Sequence, residues 1–173
     1  ARWAPRFITA RGAREMSSGP GFWVVEGMEE FVQNQSHHLD ERGPLFDDDT
    51  VLGNDATAQA RKVRFKSQYL GMEKFIDMDQ GDFAAMSDDP LGMVKLSRSK
   101  GMHGFSERSL FYDQAGALTY FFLQKKGPEM RRKFVKYVED HYAGTSHKPG
   151  WTYFGYASAE ALDNDFLAFL KTV

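Results

Sequence analysis

The sequence predicts a mainly α fold, an irregular multi-helix domain. Three observations carry that expectation. Apolar residues recur at i, i+4, i+7 and i+8 in several segments, which is the period of a helix with one buried face. Residues that start and stop helices flank those segments, as at Gly19-Pro20, Gly127-Pro128 and Ser158. No two alternating runs joined by a tight turn read as a hairpin.

The first helix is expected over residues 21–34, "GFWVVEGMEEFVQN", after Gly19-Pro20. Trp23, Val24, Met28, Phe31 and Val32 share one face of it. Glu26, Glu29, Glu30 and Gln33 gather on the opposite face, so periodicity alone reads Glu26 as a solvated charge. Residues 36–54 are polar and broken by glycine and proline, which predicts a long loop of the kind that often carries function. Asp55 is placed to cap a helix running to about Tyr69. Residues 71–105 read as irregular, with short helical turns in "GMEKFIDM" and "GDFAAM". Ser106 caps a long apolar helix to about Lys126, Gly127 ends it, and Pro128 opens the next, which stops at Gly144. That helix has Phe134, Val135, Val138 and Tyr142 as its apolar stripe and a polar face rich in cations. Ser158 caps the last helix, "AEALDNDFLAFLKT".

A chain of 173 residues suits a single domain, with residues 1–20 irregular and residues 21–173 helical. Its 15 Phe, 7 Tyr and 3 Trp include three dense clusters, which need a real core to bury them. A net charge of −2 argues against a nucleic-acid partner, and "KKGPEMRRKFVK" reads as a solvated helix face. With no cysteine, disulfides, thiolate zinc sites and thiol catalysis are excluded, while the compartment stays undecided. No apolar stretch approaches the roughly 18–20 residues of a membrane span. The opening "ARWAPRFITARGAREM" lacks an initiator Met and the apolar centre of a secretory signal, and it reads as the start of a piece of a longer chain.

Geometry disfavours two metal readings. His37 and His38, beside Asp40 and Glu41, are adjacent and so point different ways on any regular backbone. In "FDDDTVLGND", a calcium loop counted from Asp48 has Gly53 at position six, but it has Gln59 where glutamate is needed at twelve. His103, His141 and His147 show no ligand spacing.

"PGFWVVEGMEEFV" resembles the segment of gluzincin metallopeptidases that carries their third zinc ligand. These are the thermolysin-like and aminopeptidase-N-like zinc enzymes, including peptidase MA-like bacterial proteins. "FYDQAGALTYFFLQKKGPEMRRKFVKYVEDHYAG" resembles the family's next landmark, a tyrosine opening a helix, a glycine turn and a second helix. "SAEALDNDFLAFL" resembles its closing helix, so the ordered set covers most of residues 20–171. The resemblance implies the C-terminal helical part of a gluzincin catalytic domain, hydrolysing peptide bonds with a metal-activated water. It makes Glu26 a zinc ligand lining a groove. It makes Tyr112 a hydrogen-bond donor to the oxyanion, with Asp113 and Gln114 beside it to orient the site. On its residues alone, Tyr112 also reads as an aromatic packed against Phe111 and Phe105.

The chain departs from the family at one point. A gluzincin takes two histidines and its general base from an H-E-x-x-H helix upstream of the third ligand. No histidine precedes His37 here, and none of the five lies four residues from another. Zinc is therefore expected only together with such a segment, upstream or on a partner chain. This chain alone is expected to hold none and to be inactive. The implied partners are a peptide or protein substrate and the segment that carries the motif. The resemblance points to a periplasmic or extracellular location. The alternative is a non-catalytic helical interaction module or subunit that keeps this fold without the metal site.

Overall fold

The computed structural model describes residues 20–36, 69–86, 106–147 and 149–172. The helices among them are α1 (Trp23–Ser36), α2 (Met72–Phe75), α3 (Gln80–Ala84), α4 (Glu107–Tyr120), α5 (Gly127–Tyr142) and α6 (Ala159–Leu170). A π-helical turn, Phe121–Lys125, extends α4, and a 3₁₀ turn, Gly150–Phe154, precedes α6. There is no strand among the described residues, as the mainly α expectation requires. The helix from Asp55, the histidines His37, His38 and His103, Asp40, Glu41, Phe105 and the aspartate-rich loop lie outside the described residues.

The chain enters α1 through Gly21, whose φ of 90° is open to glycine and strained for other residues. The Gly21 and Phe22 amides both donate to the Met78 carbonyl, at 3.1 and 3.0 Å. Trp23 is then fully buried, ringed by Phe75, Phe122, Phe134 and Tyr137 at centroid distances of 5.9–6.3 Å. Val24 is sealed as well, while Met28 and Phe31 pack against the core from its edge. The helix is tightest at Gly27. A β-carbon there would lie 2.5 Å from the Thr119 hydroxyl and 2.6 Å from the Ala115 carbonyl oxygen, so α1 and α4 meet backbone to backbone. Gly27→Ala must force the two helices apart. Its expected cost is about 1–3 kcal/mol, the usual range for overpacking, measurable as a shifted urea midpoint.

The segment after α4 departs from the uninterrupted α-helix expected to Lys126. The turn widens at Phe121–Lys125, and Lys126 N–H donates to the Phe121 carbonyl, i to i+5, at 3.1 Å. The two consecutive phenylalanines, roughly 100° apart around the axis as on any helix, are both buried. Phe121 packs on Phe166 and Phe169 of α6, while Phe122 stacks on Phe154 at 4.0 Å and reaches Trp23 and Phe134. Arg131 holds the loosened end by donating to the Leu123 carbonyl at 2.7 Å.

In α5 the buried positions are Phe134, Tyr137 and His141, with Val138 partly covered. This corrects the expected stripe, which named Val135 and Tyr142 in place of Tyr137 and His141. Long-range polar pairs tie the remaining pieces down. Asp163 on α6 accepts from the Tyr69 hydroxyl at 2.5 Å and from the Met72 amide at 3.0 Å. Asp77 accepts from the Gly150 amide at 2.8 Å. Ser158 caps α6 as expected, its hydroxyl accepting from the Ala161 amide at 3.1 Å.

Candidate functional site

Glu26 lies on the first turn of α1. Trp23, three residues earlier, anchors that turn in the core, and Gly27 presses it onto α4. The carboxylate is consequently part-buried rather than fully solvated, while Glu29, one turn on, is exposed. Burial first, then the neighbouring Glu29 and Glu30 carboxylates, hold the Glu26 carboxyl above its ordinary range. Three carboxylates crowded on one face repel each other, and any cation seated there would relieve that repulsion.

Tyr112 sits in the second turn of α4. Its ring meets Phe83 edge-on at 5.5 Å and Phe111 edge-on at 6.0 Å. Phe83 is itself braced by Arg108, whose guanidinium lies over the ring at 5.5 Å and donates to the Ala84 carbonyl at 2.9 Å. Burial is the main cause that raises the Tyr112 phenol above its usual range, and the Glu26 carboxylate comes second; the Arg108 charge acts the other way. Two consequences follow. Glu26 and Tyr112, far apart in sequence, lie within electrostatic reach of each other, and the phenol keeps its proton at neutral pH. A protonated phenol donates a hydrogen bond, as the expected oxyanion role demands.

A third side chain lies within electrostatic reach of the same carboxylate. The Tyr142 phenol, at the end of α5, is raised by burial first and then by Glu26. Periodicity placed Tyr142 in the apolar stripe, and only the seating of the end of α5 beside the start of α1 brings it here. Phe111 does pack against Tyr112, so the aromatic contact weighed from sequence is real and coexists with the electrostatic one.

Gln114 has a different task from the one expected of it. It is fully buried, and its amide grips the Leu70 backbone from both sides, accepting from the Leu70 amide at 3.0 Å and donating to its carbonyl at 2.6 Å. It fixes the entry to α2 and does not point to Glu26. Two cations of α5 form helix pairs, Lys133 with Glu129 at 2.9 Å and Lys136 with Asp140 at 2.5 Å, in keeping with a solvated face.

Among the described residues, no group of three or more His, Asp or Glu side chains is placed to hold a metal ion. Glu26 is one carboxylate, so the described residues by themselves do not make a zinc centre. None of the helices described is long and apolar enough to cross a membrane. Comparison with protein families, with curated proteins and with solved structures finds no match to this chain.

Proposed function

We propose that this chain is the C-terminal helical portion of a zinc-dependent metallopeptidase of the gluzincin type. The observation that carries the reading is that Glu26 and Tyr112 lie within electrostatic reach of each other. Residues named from separate landmarks of the sequence act on one another across the α1–α4 contact. Zinc held by three protein ligands supplies an activated water for attack on a peptide carbonyl. In this reading Glu26 is one of those ligands, and two imidazoles and the general base come from a segment beyond the described residues. The Tyr112 hydroxyl, held protonated, donates to the oxyanion of the tetrahedral intermediate. Phe83 and Phe111 pack against the Tyr112 ring.

The competing reading, a helical interaction module without a metal site, makes Tyr112 a packing residue. Tyr112→Phe separates the two in the full-length protein. The ring and its contacts with Phe83 and Phe111 survive the change, so stability and zinc content should hold. Turnover on a peptide substrate should fall by about 10²–10³, the range for losing one oxyanion donor. Unchanged turnover would reduce Tyr112 to its packing role and remove it from the site.

A further inference from the structure

His141 is a buried titratable group that the site does not use. It sits in the last turn of α5 with 1% of its surface exposed. Its Nδ1 lies 3.1 Å from the Pro20 carbonyl oxygen, 121 positions away in sequence. A carbonyl only accepts, so Nδ1 carries the proton and the neutral ring leaves Nε2 bare. Nε2 is buried and has no hydrogen-bond partner among the described residues. The fit around this contact is close. A β-carbon on Gly21 would overlap the Tyr137 hydroxyl and come within 3.4 Å of the His141 Nδ1. The same short segment donates through Gly21 and Phe22 to the Met78 carbonyl. The end of α5 is thus latched to Pro20–Phe22, which open α1 four to six positions before Glu26.

We propose that His141 is an acid-sensitive latch: a second proton on the ring places an unpartnered N–H at Nε2 in the core, so acid releases Pro20–Phe22 and loosens the turn that presents Glu26. Tyr142, edge-on to the ring at 5.8 Å, and Tyr137, one turn earlier, are its titratable neighbours on α5. Both phenols are raised by burial and stay neutral through the acid range. The Pro20–Phe22 segment brings no titratable side chain, and the α1 carboxylates Glu26 and Glu29 act on Tyr142. Burial lowers the imidazole below its ordinary 6.5, and the Pro20 hydrogen bond only partly offsets this. The sign is then fixed. A depressed folded-state value means that the open form takes up the proton more readily. The latch holds fully above about 6.5 and weakens as pH falls through the lower, folded-state value.

The test is amide hydrogen exchange on the full chain, with protection corrected for the intrinsic rate at each pH. Protection at Gly21 and Phe22 should fall by about tenfold from pH 7.5 to pH 5.5. His141→Asn puts an amide donor near the position of Nδ1 and cannot titrate, so its protection should stay level over that range. Equal losses in both proteins, or no loss in either, would overturn the proposal. Imidazole NMR on the unmodified chain decides the matter if the variant does not fold. The Nδ1–H tautomer with a titration below 6.5 is expected. The Nε2–H tautomer, or a titration at or above 6.5, would overturn it.

Discussion

Trp23→Ala is expected to cost about 3–5 kcal/mol of stability, the range for deleting a large buried aromatic. The indole is fully buried and has Phe75, Phe122, Phe134 and Tyr137 around it. Those rings come from α2, the π-helical turn and α5, so one side chain joins three elements to α1. Removing it leaves a cavity that none of them can fill alone, because each is held elsewhere. Phe122 is stacked on Phe154, and Phe75 is tied to Phe111. Against a total stability of about 5–15 kcal/mol, such a loss unfolds a substantial fraction of the protein. Urea denaturation checks it: the midpoint should fall sharply with little change in slope. A loss of under about 1 kcal/mol would mean that Trp23 is not the keystone of this core.

Much of the fold was legible because local chemistry wrote it. Gly127, whose φ is 84°, and Pro128 begin α5, and Ser158 caps α6 through its hydroxyl. The two short turns in residues 71–105 fall at α2 and α3, the latter closed by a capping box between Asp79 and Asp82. What stayed hidden depends on partners distant in sequence. Nothing local distinguishes the π-helical turn from the α-helix before it. Tyr137 and His141 complete an i, i+3, i+4, i+7 stripe with Phe134 and Val138, but their polar tips give no apolar signal, and their partners Trp23 and Pro20 lie far upstream. Gln114 looked like a site residue because it follows Tyr112 closely, yet its amide is consumed by Leu70.

The site was legible only in part, for a related reason. The helical wheel places Glu26 on the wet face with Glu29 and Glu30. It could not foresee that Gly27 would draw α1 so close to α4 that Glu26 is part-buried and within reach of Tyr112. A glycine flanked by apolar and acidic residues was the available signal, since a missing β-carbon in mid-helix is costly unless another backbone comes near. Tyr142 gave no signal at all, because an aromatic near a helix end is equally consistent with packing.

Zinc content and peptidase activity of the full-length protein, measured with and without Glu26→Gln, test the central claim most directly. The substitution keeps the size of the side chain and removes its charge, so the fold is expected to survive; it also lessens the repulsion from Glu29 and Glu30. As a ligand, a neutral amide oxygen is far weaker than a carboxylate. Changes beyond the direct ligands of a metal commonly cost 10–100-fold in affinity or activity, so loss of a ligand should exceed about 10²-fold. The expected result is about one zinc per unmodified chain with peptide cleavage, and a Glu26→Gln protein that folds, loses zinc to mild chelation and retains little activity. A Glu26→Gln protein that keeps its zinc and its turnover would contradict the assignment of Glu26. An unmodified full-length protein that neither retains zinc nor cleaves peptides would contradict the metallopeptidase reading as a whole.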